Sequence, residues 1–306
     1  MVGPREAFRS AEIAFRAMAE GRVRLPLPMA LSLPEWQGEV HIKAAHLVGA
    51  SVFVVKIVSG FGANAALGTP VNSGYIGVFD AGSGHPLGIL LDGGYLTDLR
   101  TAAAGALAAT LLAPAKLAKV AILGTGVQAR CQLRALVEAG RGAAQTMVWG
   151  RSSAAREAYR REMAEDPGVT VLAASSAEEA VRDADLIITT TAARSPLIEE
   201  RWLAPSTTII AVGADMPEKR ELGRGVLARG AKIVVDSLAQ CRALGELHQA
   251  IADGDISAEG VYAELGEIVA GRKRGREGSE RIVCDLTGLG AQDAAVGEVA
   301  WSQLAH

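Results

Sequence analysis

The stretch Val120-Ala121-Ile122-Leu123-Gly124-Thr125-Gly126-Val127-Gln128-Ala129 decides how the rest of the chain is read. An unbroken apolar run is followed by Gly-x-Gly, and apolar positions then recur with helical spacing as far as Glu138. That is the pattern of a buried strand, a tight turn and an amphipathic helix. In the spacing G-x-G-x-x-A, Gly124 permits the turn, Gly126 lets the backbone approach a pyrophosphate, and Ala129 lets the helix pack close to a sheet. The helix start presents free N–H groups and the positive end of its dipole to phosphates. A lone match of this kind carries little weight, but here it heads a series of strand–helix units.

Towards the C-terminus, strands are expected over 146–149, 169–172, 186–190, 208–212 and 233–235. Ser153 is placed to cap a helix running to about residue 165, and Ser175 with Glu178 has the spacing of a capping box. This alternation predicts an α/β fold with a Rossmann-type, doubly wound parallel sheet. Upstream the grammar differs. A helical face runs over 5–20, and Pro26, Pro28 and Pro34 argue against regular structure until about Gly38. Segments 39–43, 51–59, 75–79 and 87–91 then read as antiparallel strands, and 97–112 as a helix that Pro114 ends. The first part is therefore an α+β unit.

Basic and acidic residues nearly balance, at 31 against 34, which excludes a strong field for nucleic acid or an anionic membrane. The basic run Arg272-Lys273-Arg274-Gly275-Arg276 is closely followed by Glu277 and Glu280 and reads as a solvated loop. Cys131, Cys241 and Cys284 form neither a metal-ligand pattern nor a disulfide framework, so no metal is expected, and buried reduced thiols fit a cytoplasmic protein. The N-terminal residues lack a signal-peptide core. The uncharged run over 101–115 is too short to span a bilayer and reads as a buried helix.

The second strand of the parallel series ends at Trp149-Gly150-Arg151-Ser152-Ser153. An acidic residue there serves the ribose hydroxyl of NAD, whereas an arginine accommodates the 2′-phosphate of NADP. Arg151 with Ser152 therefore leans towards NADP over NAD.

Several further motifs occur in one order: Lys56-Ile57-Val58-Ser59-Gly60-Phe61, Leu96-Thr97-Asp98-Leu99-Arg100-Thr101-Ala102-Ala103, the glycine loop, Thr189-Thr190-Thr191, Val212-Gly213-Ala214-Asp215 with Glu221-Leu222, and Thr287-Gly288-Leu289-Gly290-Ala291-Gln292-Asp293. With them the chain resembles the ornithine cyclodeaminase/mu-crystallin family over nearly its whole length, and most closely a bacterial branch of ornithine-cyclodeaminase or ectoine-utilization type. The resemblance implies a homodimer, with residues 1–115 and 291–306 as substrate-binding and dimerisation domain and 116–290 as dinucleotide-binding domain. It also implies hydride exchange between NADP or NAD and the α-carbon of a small amino or imino acid, in a cyclodeaminase or an imino-acid reductase. The alternative within the family is a mu-crystallin-like protein that holds NADPH and a ligand without turnover.

The resemblance also assigns residues. Lys56, a charge inside an apolar strand, and Arg100, whose guanidinium suits bidentate contact, bind the substrate carboxylate. Asp215, after a buried strand and a glycine, handles the proton of the substrate amine, and Lys56 joins it as a catalytic candidate. Cofactor contacts fall to Thr101, Gly124, Thr125, Gly126, Val127, Gln128, Arg151, Ser152, Thr190, Thr191 and Gly213. One departure concerns the carboxylate clamp. Many members carry an arginine after a proline near position 29, where this chain has Pro28-Met29-Ala30. Lys43, which shares a strand face with Glu39 and His41, is the candidate replacement, and His41 reads as an ordinary half-exposed strand residue.

Overall fold

A computed structural model describes residues 1–228 and 230–304. The chain folds into two compact units, Met1–Arg100 with Leu289–His306, and Thr101–Gly288. The division falls inside a helix rather than near residue 115.

In the first unit, helix α1 (Pro4–Ala19) opens with proline at its start, and the Glu6 carboxylate accepts the Gly3 N–H at 2.8 Å. Six strands form one antiparallel sheet: β1 (Val23–Arg24), β2 (Met29–Leu33), β3 (Gly38–Leu47), β4 (Val52–Phe61), β5 (Asn72–Asp80) and β6 (Pro86–Leu90). They run in the order β1-β3-β4-β5-β6, with β2 also pairing β3. Strand β2 corrects the expectation of irregular chain before Gly38. The prolines flank it and none lies within it, and an edge strand with one neighbour tolerates them there. Helix α2 (Tyr95–Leu112) follows and carries Arg100.

The second unit holds β7 (Lys119–Leu123), α3 (Val127–Glu138), β8 (Gln145–Trp149), α4 (Ser153–Met163), β9 (Val171–Ala173), α5 (Ala177–Val181), β10 (Leu186–Thr189), β11 (Arg194–Ile198), β12 (Thr208–Ala211), β13 (Arg220–Leu222), β14 (Lys232–Val235), α6 (Leu238–Cys241), α7 (Gly245–Ala252), β15 (Ala263–Glu264), α8 (Leu265–Val269) and β16 (Ile282–Asp285). Its parallel sheet has the order β15-β14-β16-β12-β10-β7-β8-β9, while β11 and β13 pair separately. The order reverses between β7 and β10, which puts the loops after those two strands at the switch point where ligands of such sheets bind. Sequence reading passes over β16, a four-residue strand that slots between β12 and β14. Two caps sit one residue away from their expected places: Ser152, not Ser153, accepts the Ala155 N–H, and Ser176 accepts from Glu179.

The chain returns to the first unit with α9 (Gly290–Leu304), which lies across β3, β4 and β5 and packs on α1. Two thiols, Cys241 and Cys284, are buried and Cys131 is half-buried. Within the basic run Arg276 is a tie rather than a solvated side chain, donating to the carbonyls of Leu112 and Ser206 and to the Thr208 hydroxyl. Among the described residues no helix is long and apolar enough to cross a membrane.

Candidate functional site

Each unit carries one group of candidate residues. In the first, the β3–β4 register sets Lys43 directly opposite Lys56, and both are buried, Lys56 to 1% exposure. Like charges opposed on a sheet face repel, and a buried unpaired ammonium costs several kcal/mol, roughly. The offset comes from the far end of the chain. Asp293, fully buried in the first turn of α9, accepts a hydrogen bond from Lys56 Nζ at its Oδ1, 2.9 Å away. The same oxygen lies 2.9 Å from Arg100 Nε, an ion pair in which the N–H points off the oxygen. Arg100 Nη1 donates instead to Gln292 Oε1 at 3.0 Å, and that oxygen also accepts the Leu289 N–H at 2.9 Å.

Burial pulls the Lys56 ammonium down to about 7, helped by Arg100 and Lys43 and opposed by Asp293. Burial works against the Asp293 carboxylate, but Arg100, Lys56 and Lys43 outweigh it and hold that group below its ordinary value. Two cations thus share one carboxylate, and the cluster carries an excess of positive charge while Lys56 is protonated. His41 is buried rather than half-exposed, with Nε2 3.4 Å from Glu39 Oε1.

In the second unit the glycine loop joins β7 to α3. Gly124 sits at φ +128°, and a Cβ there would lie 2.3 Å from Thr190 Oγ1, so both conformation and space require glycine. A Cβ on Gly126 would meet open space, and the α3 N-terminus has no side-chain cap. Uncapped N–H groups facing open space at the switch point fit a dinucleotide pyrophosphate. Val127, 55% exposed at the helix start, leaves an apolar surface beside them. Below the loop, Arg130 Nη1 donates to the carbonyl of Gly126 at 3.0 Å and its guanidinium stacks over Tyr159. Gln132 of α3 donates to the carbonyl of Thr101 at 3.1 Å, so that cofactor candidate also anchors the helix. Arg151 is exposed after β8, while the Ser152 hydroxyl is engaged as the α4 cap.

Thr190 donates its hydroxyl to the Leu123 carbonyl at 3.2 Å, tying β10 to β7. The Thr191 hydroxyl and N–H both point to Glu221 Oε1, at 2.7 and 2.6 Å. Glu221 Oε2 takes the Thr189 hydroxyl at 2.6 Å and the Gly213 N–H at 3.0 Å. Burial raises the Glu221 carboxyl, and the four donors oppose that. The carboxyl staples the ends of β10 and β12, and a Cβ on Gly213 would strike Thr191 O at 2.2 Å. The staple is itself held by Glu246, whose oxygens accept the N–H groups of Glu221 and Leu222 at 2.6 and 3.1 Å. Just past Gly213 stands Asp215, half-buried, with Oδ1 2.7 Å from Lys219 Nζ.

Sequence reasoning gave Gln292 and Asp293 no role and overlooked Glu221 and Glu246 as supports. The available signals were the motif ending at Asp293 and acidic residues set among apolar neighbours.

These features are those of a dinucleotide-binding α/β protein whose other unit carries a buried cluster of cations around Asp293. The ornithine cyclodeaminase/mu-crystallin family description matches residues 4–305, and the chain belongs to that family. An uncharacterized cyclodeaminase of Sinorhizobium fredii is 39% identical over 300 residues, spanning 97% of this chain and 90% of its own. Among solved structures, an archaeal alanine dehydrogenase dimer with bound NAD is 34% identical at a TM-score of 0.91, covering 99% of this chain and 92% of that one. The Thermococcus litoralis Delta(1)-pyrroline-2-carboxylate reductase in complex with NADH and L-proline is 29% identical at a TM-score of 0.92, with coverage of 99% and 94%.

Proposed function

We propose that this protein is a nicotinamide-dependent enzyme that exchanges a hydride with the α-carbon of a small amino or imino acid. The observation that carries this reading is the buried Lys56–Arg100 pair around Asp293, a cationic group formed for a substrate carboxylate. The glycine loop would hold the pyrophosphate of a dinucleotide, whose nicotinamide would supply the hydride chemistry. Lys56 and Arg100 neutralise and orient the carboxylate, with Lys43 adding charge from the neighbouring strand. Asp215, whose Oδ1 lies 2.7 Å from Lys219 Nζ, gives or takes the amine proton, a task suited to a carboxylate. A reductase and a cyclodeaminase need these same groups and differ in whether ammonia leaves and the hydride returns.

The cofactor preference is read from Arg151, exposed directly after β8 with no acidic residue among the next four positions. It favours the 2′-phosphate of NADP. One experiment addresses both points: the purified protein is assayed with ornithine, lysine, 2,4-diaminobutyrate and cyclic and acyclic imino acids, each with NAD(H) and NADP(H). Stoichiometric oxidation of NADPH marks a reductase, and ammonia with a cyclic amino acid but no net cofactor change marks a cyclodeaminase. Equal use of both cofactors removes the role of Arg151. Cofactor binding without turnover across the panel replaces the enzyme reading with a ligand-binding one.

The proposal includes a homodimer. The sheet face opposite α9 is apolar across β2 to β6, with Leu31, Ile57, Tyr75 and Ile89 on it and Phe53 stacked on Phe79 at 4.9 Å. Ile89 is 60% and Leu31 53% exposed, and a continuous apolar face of this kind is characteristic of an interface. A second copy of the chain is its occupant, as the dimeric alanine dehydrogenase relative suggests. Sedimentation should give twice the chain mass, and Ile57→Glu should halve it; a wild-type monomer at micromolar concentration refutes the dimer.

A further inference from the structure

We propose that Asp293 is a positioning residue that joins Lys56 and Arg100 into one carboxylate-binding unit, and that the C-terminal helix thereby sets substrate affinity. The inference rests on the proposed reading of this site as the carboxylate anchor.

The case starts from geometry. Lys56 and Arg100 reach the same point from β4 and α2, and α9 brings a buried anion to them. Asp293 Oδ1 fixes the Lys56 ammonium at 2.9 Å and sits 2.9 Å from Arg100 Nε. Gln292, one residue earlier on the same helical turn, takes the Arg100 Nη1 proton at 3.0 Å. The adjacent pair therefore grips the guanidinium at two corners, and Nη2 takes neither of these contacts. Asp293 Oδ2 is buried and has no hydrogen-bond partner, so the carboxylate is held by charge alone on that side. A group that only filled space would not be an aspartate here, since the burial cost of the ion is offset by the cations around it.

The second consequence concerns protonation. The charged groups facing Lys56 are Arg100 from α2, Lys43 from β3 and Asp293 from α9, while its β5 neighbour is the apolar Ile76. Of these only Asp293 favours the ammonium. With Lys56 poised at about 7, carboxylate affinity is present below that pH and falls as pH rises through it. Without the Asp293 charge the fall moves to lower pH, and Lys56 is neutral at physiological pH.

The test measures Lys56 directly, by carbon NMR of ε-13C-lysine-labelled full-length protein, with the signal assigned by its loss in Lys56→Met. In Asp293→Asn the titration midpoint should drop by about one pH unit or more. The midpoint of kcat/KM, measured on whichever amino or imino acid the protein turns over, should drop with it, and cofactor affinity should stay within twofold. An unmoved Lys56 midpoint in folded Asp293→Asn overturns the inference. If that variant does not fold, Asp293→Glu decides: it should keep the midpoint and raise KM, and a wild-type KM overturns the positioning role. A shifted midpoint in a protein that turns over no amino or imino acid would keep Asp293 as the group that sets the charge of Lys56, while the substrate-affinity role would fall with the functional reading.

Discussion

Replacing Glu221 with alanine should destabilise the dinucleotide-binding unit by about 3–5 kcal/mol, measured by urea or thermal unfolding. Four donors converge on that carboxyl: the hydroxyls of Thr189 and Thr191 and the N–H groups of Thr191 and Gly213. A hydroxyl can turn to another acceptor, but the two backbone N–H groups are fixed by the strands. Each buried donor left without a partner costs about 1–3 kcal/mol, and the cavity left by the side chain adds to that. The loss is a large share of the roughly 5–15 kcal/mol that holds a typical domain folded. Glu221→Gln should fall between wild type and alanine, because it keeps one oxygen acceptor and turns an amide N–H2 towards the other donors. A functional cost should accompany the loss. The staple fixes the chain ends after β10 and β12, so cofactor affinity should fall even where the variant remains folded. A loss below about 1 kcal/mol would show that the donors find other acceptors, and the staple would then have no structural weight.

The contrast between what was legible and what was not follows from the range of the interactions. The parallel sheet is readable because its strands are buried on both faces and appear as continuous apolar runs, as at Val120 to Leu123 and Leu186 to Ile188. The glycine loop is readable because the chemistry of a tight turn and a close phosphate is written in consecutive residues. Strand β2 escapes notice because proline weighs heavily in any local reading, although an edge strand flanked by prolines breaks no rule. Strand β16 is four residues long, follows a charged loop, and takes its identity from its neighbours β12 and β14.

The same logic divides the site. Lys56 declares itself as a charge inside an apolar strand. Its partner Asp293 lies 237 residues away and sits in a helix whose sequence gives no sign of which cation it meets. Glu221 stands about 30 residues from the threonines it binds. Local pattern identifies a buried charge as needing a partner, but the choice of partner belongs to the tertiary fold. The motif ending at Gln292 and Asp293 marks the segment that meets Lys56 and Arg100, without saying which groups it meets.

Asp215→Asn should lower kcat by about 10²–10⁴-fold, the usual worth of a positioned acid or base, on whichever amino or imino acid the protein accepts. Asparagine keeps the shape of the side chain and an oxygen for the Lys219 ammonium, now 2.7 Å from Asp215 Oδ1, but it cannot take a proton. The flanking Ala214 and Met216 are buried and hold the backbone at this point, so the fold should tolerate the change, with the melting temperature as the control. KM should change little, because the proposed carboxylate anchors Lys56 and Arg100 are untouched. That separates this variant from Asp293→Asn, whose effect belongs to affinity and its pH dependence. Cofactor binding should likewise be unchanged, since Asp215 belongs to neither the glycine loop nor the staple. A kcat within tenfold of wild type, in a protein of unchanged stability, would mean that solvent or another group handles the amine proton. Asp215 would then serve only as the counterion of Lys219, and hydride exchange would proceed without a dedicated carboxylate at the end of β12.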